Sequence, residues 1–141
     1  PRKAVGESPP WPFADDREHV VRLVIHDFCQ AMLDNVIAQN PQVVTATAPK
    51  AKDLILPDEL RTTHPSWALQ LAELFNYGAT TLFMNRIIPG SGDAFALYER
   101  RTKHILIMPT IIEAVMQYLE RKAKGNATPL AEYLPQFIDQ L

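Results

Sequence analysis

The residues best suited to metal chemistry are an acid and two histidines near the start of the chain. Asp16 and His19 lie three residues apart and His26 follows seven residues later, so the three share one face of a helix. Carboxylate and imidazole groups at such spacing can bind a metal ion in a helical bundle when facing helices add matching ligands. Glu73 and Glu99 are available, but neither has a histidine at a matching position. We therefore predict no metal and no cofactor, with these histidines at the surface or its boundary.

The single cysteine offers a second candidate chemistry. Cys29 and His26 share a helix face, as a reactive thiolate and its imidazole partner would require. Cys29 also lies beside an apolar stripe, where cysteine usually behaves as a small hydrophobic residue. No Gly-x-Ser-x-Gly sequence offers another nucleophile. We therefore predict no catalytic residue and expect that the protein is not an enzyme.

A Gly-Ser-Gly-Asp stretch beginning at Gly90 raises the question of a phosphate-binding loop. Gly90 and Gly92 match the first two glycines of a dinucleotide-binding fingerprint, but Phe95 replaces the third. The sequence contains no Gly-Lys pair, and Asp93 would repel a bound phosphate. We predict a turn in which Pro89 ends one helix, the glycines allow positive φ and Asp93 caps the next helix.

Basic side chains are concentrated in two segments. The first segment contains Arg100, Arg101, Lys103 and His104, and the second contains Arg121, Lys122 and Lys124. If the helices that carry them pack antiparallel, the two clusters lie at opposite ends and form no continuous patch. The net charge of −2 and the absence of Lys or Arg from 129–141 also argue against a nucleic-acid-binding protein. Nucleic-acid binding stays open as an alternative.

The composition predicts one globular domain. The 141 residues are 47% hydrophobic and 21% charged, which is ordinary for a soluble protein. A lone cysteine cannot form an internal disulfide, which favours a reducing, intracellular location, cytoplasmic or nuclear. Apolar runs are too short for a transmembrane helix, so we expect no membrane partner. A start at Pro1 suggests a fragment of a larger protein.

The elements that must position these residues are predicted to be helical. We expect an all-α fold of about five helices in one compact domain over 13–141, behind a flexible Pro-rich tail at 1–12. Trp11 and Phe13 would form an apolar hook onto the core. Asp15 or Asp16 caps the first helix, which Asn40-Pro41 ends. Its inward stripe is predicted to contain Val21, Ile25, Phe28, Met32 and Val36, widened by Val20, Val24 and Ala31.

The rest of the chain supplies an irregular loop and four more helices. The loop covers 41–65; the short run 43–47 has strand character but no second strand to pair with, and 54–56 docks as an apolar anchor. Ser66 caps the second helix, Asp93 opens a third that reaches about Met108, and a Thr110 capping box opens a fourth. Gly125 stops that helix, and Thr128-Pro129 opens the last.

The number of aromatic residues favours a binding surface over a single small core. We predict a helical protein-interaction domain that buries apolar anchors of a protein or peptide partner, with a basic rim that steers acidic partners. The partner-binding residues are predicted to be Trp67, Phe75, Phe95, Tyr98, Arg100, Arg101, Lys103 and Tyr118. A homodimer face, and a small-ligand or enzymatic pocket between helices, remain alternatives.

Overall fold

The computed structural model describes residues 16–141, which form seven α-helices and no β-strand. The helices are α1 (Arg17–Gln39), α2 (Pro41–Ala51), α3 (Asp58–Thr63), α4 (Trp67–Ile87), α5 (Ser91–Thr102), α6 (Met108–Ala123) and α7 (Leu130–Asp139). The all-α prediction is confirmed, and two short helices account for the difference from about five. The predicted tail and the hook at Trp11 and Phe13 lie outside the described residues. Within 16–141, no helix is both long and apolar enough to cross a membrane.

Helix α4 forms the centre of the fold. Ser66 caps it as predicted, since the Ser66 hydroxyl accepts a hydrogen bond from the Leu69 amide at 3.2 Å. All residues from Gln70 to Thr81 are buried, because α1, α2, α5 and α6 all pack against α4. Gly78 permits the closest approach of α6, since a Cβ at this position would lie 2.6 Å from Val115 Cγ2.

Helix α1 turns inward a face that only partly overlaps the predicted one, since Val21, Ile25 and Val36 are half-buried and Ile25 packs against the core. Its buried side chains are Cys29, Leu33 and Ile37, which follow a four-residue spacing and pack in the core with α4. The predicted inward positions of Phe28 and Met32 are wrong, as are those of Val20, Val24 and Ala31, which are all exposed. Both faces of α1 are apolar, so helical periodicity alone could not choose between them.

Buried polar groups of α4 help to fix this rotation of α1. The Asn76 side chain is fully buried and donates hydrogen bonds of 3.1 Å to the His26 carbonyl and to Gln30 Oε1. Asn76 Oδ1 in turn accepts from the Thr80 hydroxyl at 3.0 Å. A buried amide without partners is costly, so these bonds favour the α1 orientation that turns Gln30 toward α4.

The segment 41–65 is not the irregular loop that the sequence suggested, because it contains α2 and α3. Pro41 occupies the first turn of α2, where its missing N–H is not needed. The Thr47 hydroxyl donates to the Val43 carbonyl and accepts from Trp67 Nε1, both at 2.8 Å. The run at 43–47, which is rich in β-branched residues, is therefore helical. No strand within 16–141 is available to pair with it. The apolar anchor is confirmed at Leu54 and Leu56, which are buried.

The predicted turn extends only to Gly90, because Ser91, Gly92 and Asp93 form the first turn of α5; Gly90 has the predicted positive φ and Gly92 does not. Gly90 has a φ of 85° and α5 begins at the next residue. Asp93 is not the N-cap but lies in the first turn of α5. There it holds Asn85 of α4 in a reciprocal pair: Asn85 Nδ2 donates to Asp93 Oδ1 at 3.0 Å, and the Asp93 amide donates to Asn85 Oδ1 at 3.1 Å.

The boundary between α5 and α6 differs from the prediction. Helix α5 ends at Thr102 rather than near Met108, and His104 in the connection has a φ of 58°. Pro109 lies in the first turn of α6 instead of ending α5, because a proline is tolerated where no N–H has to be satisfied. The predicted Thr110 capping box is not used, since α6 has begun two residues earlier.

The C-terminal boundaries follow local signals closely. Helix α6 ends at Ala123, and Gly125 adopts a φ of 84°, as a helix stop requires. Helix α7 begins at Leu130, one residue later than predicted, so Pro129 rather than Thr128 is its N-cap and no side chain caps it; the helix buries Tyr133, Leu134, Phe137 and Ile138.

Candidate functional site

The predicted partner-binding residues do not form one surface. Phe75 and Phe95 are only 2% and 8% exposed, so both belong to the core. The Phe75 ring packs edge-on against Tyr118 and Phe137, with centroids 6.0 and 5.1 Å apart. Phe75 is buried because it lies in the middle of α4. Its side chain is therefore not part of any partner-binding surface.

Two other predicted aromatic residues have intramolecular partners. Trp67 is half-buried, and its hydrogen bond to Thr47 ties α4 to α2. Tyr118 is also half-buried, with its ring centroid 5.0 Å from that of Tyr133 and the Lys122 ammonium 5.6 Å from its own centroid. Among the predicted aromatic residues of 16–141, Tyr98 is the one that is largely exposed, at 57%.

The predicted basic rim is divided. Arg100 and Arg101 are exposed in the last turn of α5, whereas Lys103 turns toward Glu99, with Nζ 3.1 Å from Oε2. The second cluster lies in the last turn of α6, where Arg121 Nη1 donates to Gln136 Oε1 at 3.0 Å. Because α6 has 16 residues, the two clusters are separated by about 20 Å along its axis.

A row of exposed large apolar side chains is instead found on α1. We call it the α1 apolar face. It consists of Val20, Val24, Phe28 and Met32, which are 40%, 64%, 71% and 41% exposed. The spacing of four residues places these side chains in one row along the helix. A row of large apolar side chains on one helix is the arrangement expected of a site that binds a partner helix.

One border of the α1 apolar face is acidic. Asp27 and Asp34 are both exposed and lie on one side of the helix; Asp27 is about 60° around the axis from Val24, whereas Asp34 is about 160° from Met32 and lies away from the row. The Asp34 carboxylate accepts one hydrogen bond, from Gln30 Nε2 at 2.9 Å. The Asp27 carboxylate lies 3.4 Å from His26 Nδ1 and its side chain is 80% exposed. These carboxylates are therefore accessible to basic groups of a partner.

A buried acid of α4 lies between two histidines. His26 Nε2 is 3.4 Å from Glu73 Oε1, and His64 Nε2 is 3.5 Å from Glu73 Oε2. The Glu73 side chain is only 8% exposed. The hydrogen bond to Glu73 raises the pKa of His26 above its usual value, although burial acts in the opposite direction. Sequence spacing could not reveal this cluster, because His26 and His64 lie 47 and nine residues before Glu73, outside its helix. The one signal in the sequence was an acid within the apolar run of α4.

The cluster does not provide a metal site. No group of three or more potential ligands within 16–141 could hold a metal ion.

Tyr77 lies one turn beyond Glu73, and burial, reinforced by the charges of Glu73 and Glu99, raises the pKa of its phenol far above the usual value. Cys29 is 2% exposed and burial raises the pKa of its thiol, which disfavours the reactive thiolate.

A cavity with a volume of about 490 Å³ lies between the start of α1 and α5. Asp16, Glu18, His19 and Arg22 line one side, and Phe95, Tyr98, Glu99 and Lys103 line the other. Glu99 is 3% exposed. Its Oε2 is buried and forms an ion pair with Lys103, whose Nζ lies 3.1 Å away.

The chain matches no model of a known protein family, no curated protein and no solved structure. What residues 16–141 define is an all-α fold with an apolar row on α1 and an acidic cavity beside α5.

Proposed function

We propose that this protein is a helical interaction domain that binds an amphipathic helix of a protein partner through the α1 apolar face. The exposure of Val24 and Phe28, at 64% and 71%, carries the proposal. Burying a side chain of this size in an interface contributes about 1.5–3 kcal/mol, and two neighbours in one row can anchor a partner helix. The location proposed for this interaction is intracellular.

The charges beside this face indicate the chemistry of the partner. Asp27 borders the row beside Val24, and a partner helix with Lys or Arg beside its apolar residues would complement this carboxylate. This proposal differs from the basic rim predicted from the sequence, because Arg100, Arg101 and Lys103 belong to the end of α5. Opposite charges at the border would set the orientation of the partner helix and increase its association rate.

Affinity capture with matched variants tests the proposal. Wild-type protein, Phe28→Asp and Leu106→Asp are used as baits, each with and without nuclease. Leu106 is a suitable control, since it is 57% exposed and lies in the connection between α5 and α6. Both positions are exposed, so neither substitution should change the free energy of unfolding by more than about 0.5 kcal/mol.

We expect the wild-type and Leu106→Asp baits to retain a protein partner that the Phe28→Asp bait loses, with or without nuclease. A peptide from its binding helix should then bind Phe28→Asp at least about tenfold more weakly, as expected for a central apolar anchor. Equal retention by all three baits, or retention by none, would contradict the proposal. Retention that nuclease abolishes would instead favour nucleic-acid binding, for which charge reversal at Arg100 and Arg101 is the direct test.

A further inference from the structure

We propose that His26 makes partner binding at the α1 apolar face depend on pH, an inference that rests on the proposed function. The His26 ring lies between two carboxylates: its Nδ1 is 3.4 Å from Asp27 Oδ1, and its Nε2 is 3.4 Å from Glu73 Oε1. Asp27 borders the apolar row and its side chain is 80% exposed, whereas the Glu73 side chain is 8% exposed. One imidazole therefore connects the surface that would receive a partner with a buried acid of α4.

The number of protons on the ring decides whether it can hold both carboxylates. A charged imidazole donates from both nitrogens, so it can hold Asp27 and Glu73 together. A neutral imidazole has one N–H, and its other nitrogen accepts hydrogen bonds. Because an ionised carboxylate also only accepts, neutral His26 can hold just one of the two acids.

Burial decides which acid keeps the remaining N–H. A buried carboxylate that loses a donor pays the full cost of its desolvation, whereas water replaces the donor at an exposed one. The N–H therefore stays with Glu73. The ring cannot follow Asp27, since α4 fixes this part of α1: Asn76 Nδ2 donates to the His26 carbonyl at 3.1 Å. Loss of the proton thus releases the Asp27 carboxylate.

Release of Asp27 adds a negative charge beside the apolar row. Asp27 lies about 60° and His26 about 160° around the α1 axis from Val24, in the same direction. Pairing with charged His26 therefore draws the Asp27 carboxylate away from the row and neutralises it. Once released, the carboxylate can pair with a Lys or Arg of the partner helix, so the affinity for a basic helix should rise with pH.

The change in charge of His26 falls near neutral pH. The hydrogen bond to Glu73 raises the pKa of His26 above its ordinary value of 6.5, although burial acts in the opposite direction. The ring is therefore charged below this raised pKa and neutral above it. A basic group bound beside Asp27 repels the charged ring, so by linkage binding and loss of the proton favour each other.

Further titratable groups on the elements around this ring are Arg22 of α1, Tyr77 of α4 and His64 before α4. Arg22 stays charged and Tyr77 stays neutral near neutral pH, since burial raises the pKa of the Tyr77 phenol far above its usual value. His64 Nε2 lies 3.5 Å from Oε2 of Glu73, so it pairs with the oxygen that His26 does not use.

The experiment measures binding of a designed basic helix to the full chain by isothermal titration calorimetry. The probe is a capped peptide of Leu, Ala and Lys with about 18 residues, long enough to form a helix, with a leucine stripe flanked by lysines. It has no group that titrates between about pH 5.5 and 8.5. We expect wild type to bind it about threefold more tightly at pH 8.5 than at pH 5.5, the size of a charge pair at an exposed site.

Three variants locate the source of this pH dependence. His26→Gln and Asp27→Asn should each bind the peptide equally at both pH values, and the glutamine amide can still donate to Glu73. His104→Asn is the matched control: His104 is exposed in the connection between α5 and α6, and asparagine tolerates its φ of 58°. This control should keep the threefold change. If His26→Gln does not fold, the exposed Asp27→Asn gives the same test.

The outcomes separate this inference from the proposed function. Equal wild-type affinity at both pH values, or a threefold change that persists in Asp27→Asn, would overturn the role of His26. Phe28→Asp tests the apolar face itself, because it should lose the peptide at either pH. Equal binding by Phe28→Asp, or no binding by wild type, would overturn the proposed function and the pH dependence together.

Discussion

Gly92 is expected to be the least replaceable glycine within 16–141, because α5 begins against the backbone of α4. A Cβ built on Gly92 would overlap the carbonyl oxygen of Thr81 and lie 2.7 Å from Asn85 Oδ1. The Thr81 carbonyl belongs to the backbone of a buried helix and cannot move alone. Gly92→Ala therefore requires α5 to shift away from α4, together with the pair between Asn85 and Asp93.

The magnitude follows from two opposing effects. Overpacking of a close contact typically costs about 1–3 kcal/mol, and a collision with backbone belongs at the upper end. Alanine gains up to about 1 kcal/mol over glycine inside a helix, which offsets part of that cost. We expect a net loss of about 2 kcal/mol in the free energy of unfolding, or a melting temperature lower by about 8 °C.

Gly90→Ala is the matched control, two residues away. Gly90 has a φ of 85° and no atom within 4 Å of a Cβ, so its substitution tests conformation without a steric collision. A left-handed alanine costs about 1 kcal/mol, and asparagine, which tolerates this region, should cost less. Thermal and urea unfolding followed by circular dichroism would measure all three variants. If Gly92→Ala were as stable as Gly90→Ala or the wild type, the close approach of α4 and α5 would be refuted.

Two further predictions concern buried polar groups. Because the pKa of His26 is raised, its pairing with Glu73 stabilises the fold fully below the unfolded value of about 6.5, and this stabilisation is lost as pH rises through the raised pKa. Urea midpoints from pH 5.5 to 8.5 should fall more in wild type than in His26→Gln, and parallel curves would contradict the pairing. Tyr133→Phe removes the 2.6 Å hydrogen bond that the fully buried hydroxyl donates to the Ala114 carbonyl and the 3.1 Å bond that it accepts from Gln140 Nε2. It should cost about 1–2 kcal/mol in urea unfolding, and an unchanged midpoint would show that these two bonds contribute nothing.

Local signals in the sequence predicted several helix boundaries correctly. Asp16 and Ser66 cap α1 and α4, and Gly125 follows the end of α6. These signals succeed because a cap or a glycine stop satisfies backbone groups within a few residues. Pro109 misled the prediction because proline can both end a helix and occupy the first turn of the next one.

The candidate sites depended much more on tertiary structure. Glu99 and Lys103 were visible as residues, but their burial and pairing beside a cavity require α1 and α5 to meet. Glu73 lacked a histidine at any matching position in the sequence, yet the fold places His26 and His64 on either side of it. Distances between residues of different helices are not encoded in the spacing of either helix.

The sequence by itself determined that the chain is helical and where many of its helices begin and end, because apolar periodicity, caps and prolines act over a few residues. The tertiary structure alone decided which apolar stripe of α1 is buried. Cys29 and Leu33 face α4, where buried Asn76 finds its partners on α1, and this leaves Phe28 in solvent. The surface on which the proposed function depends is therefore set by packing between helices, since one helix with two apolar faces cannot by itself determine which face is covered.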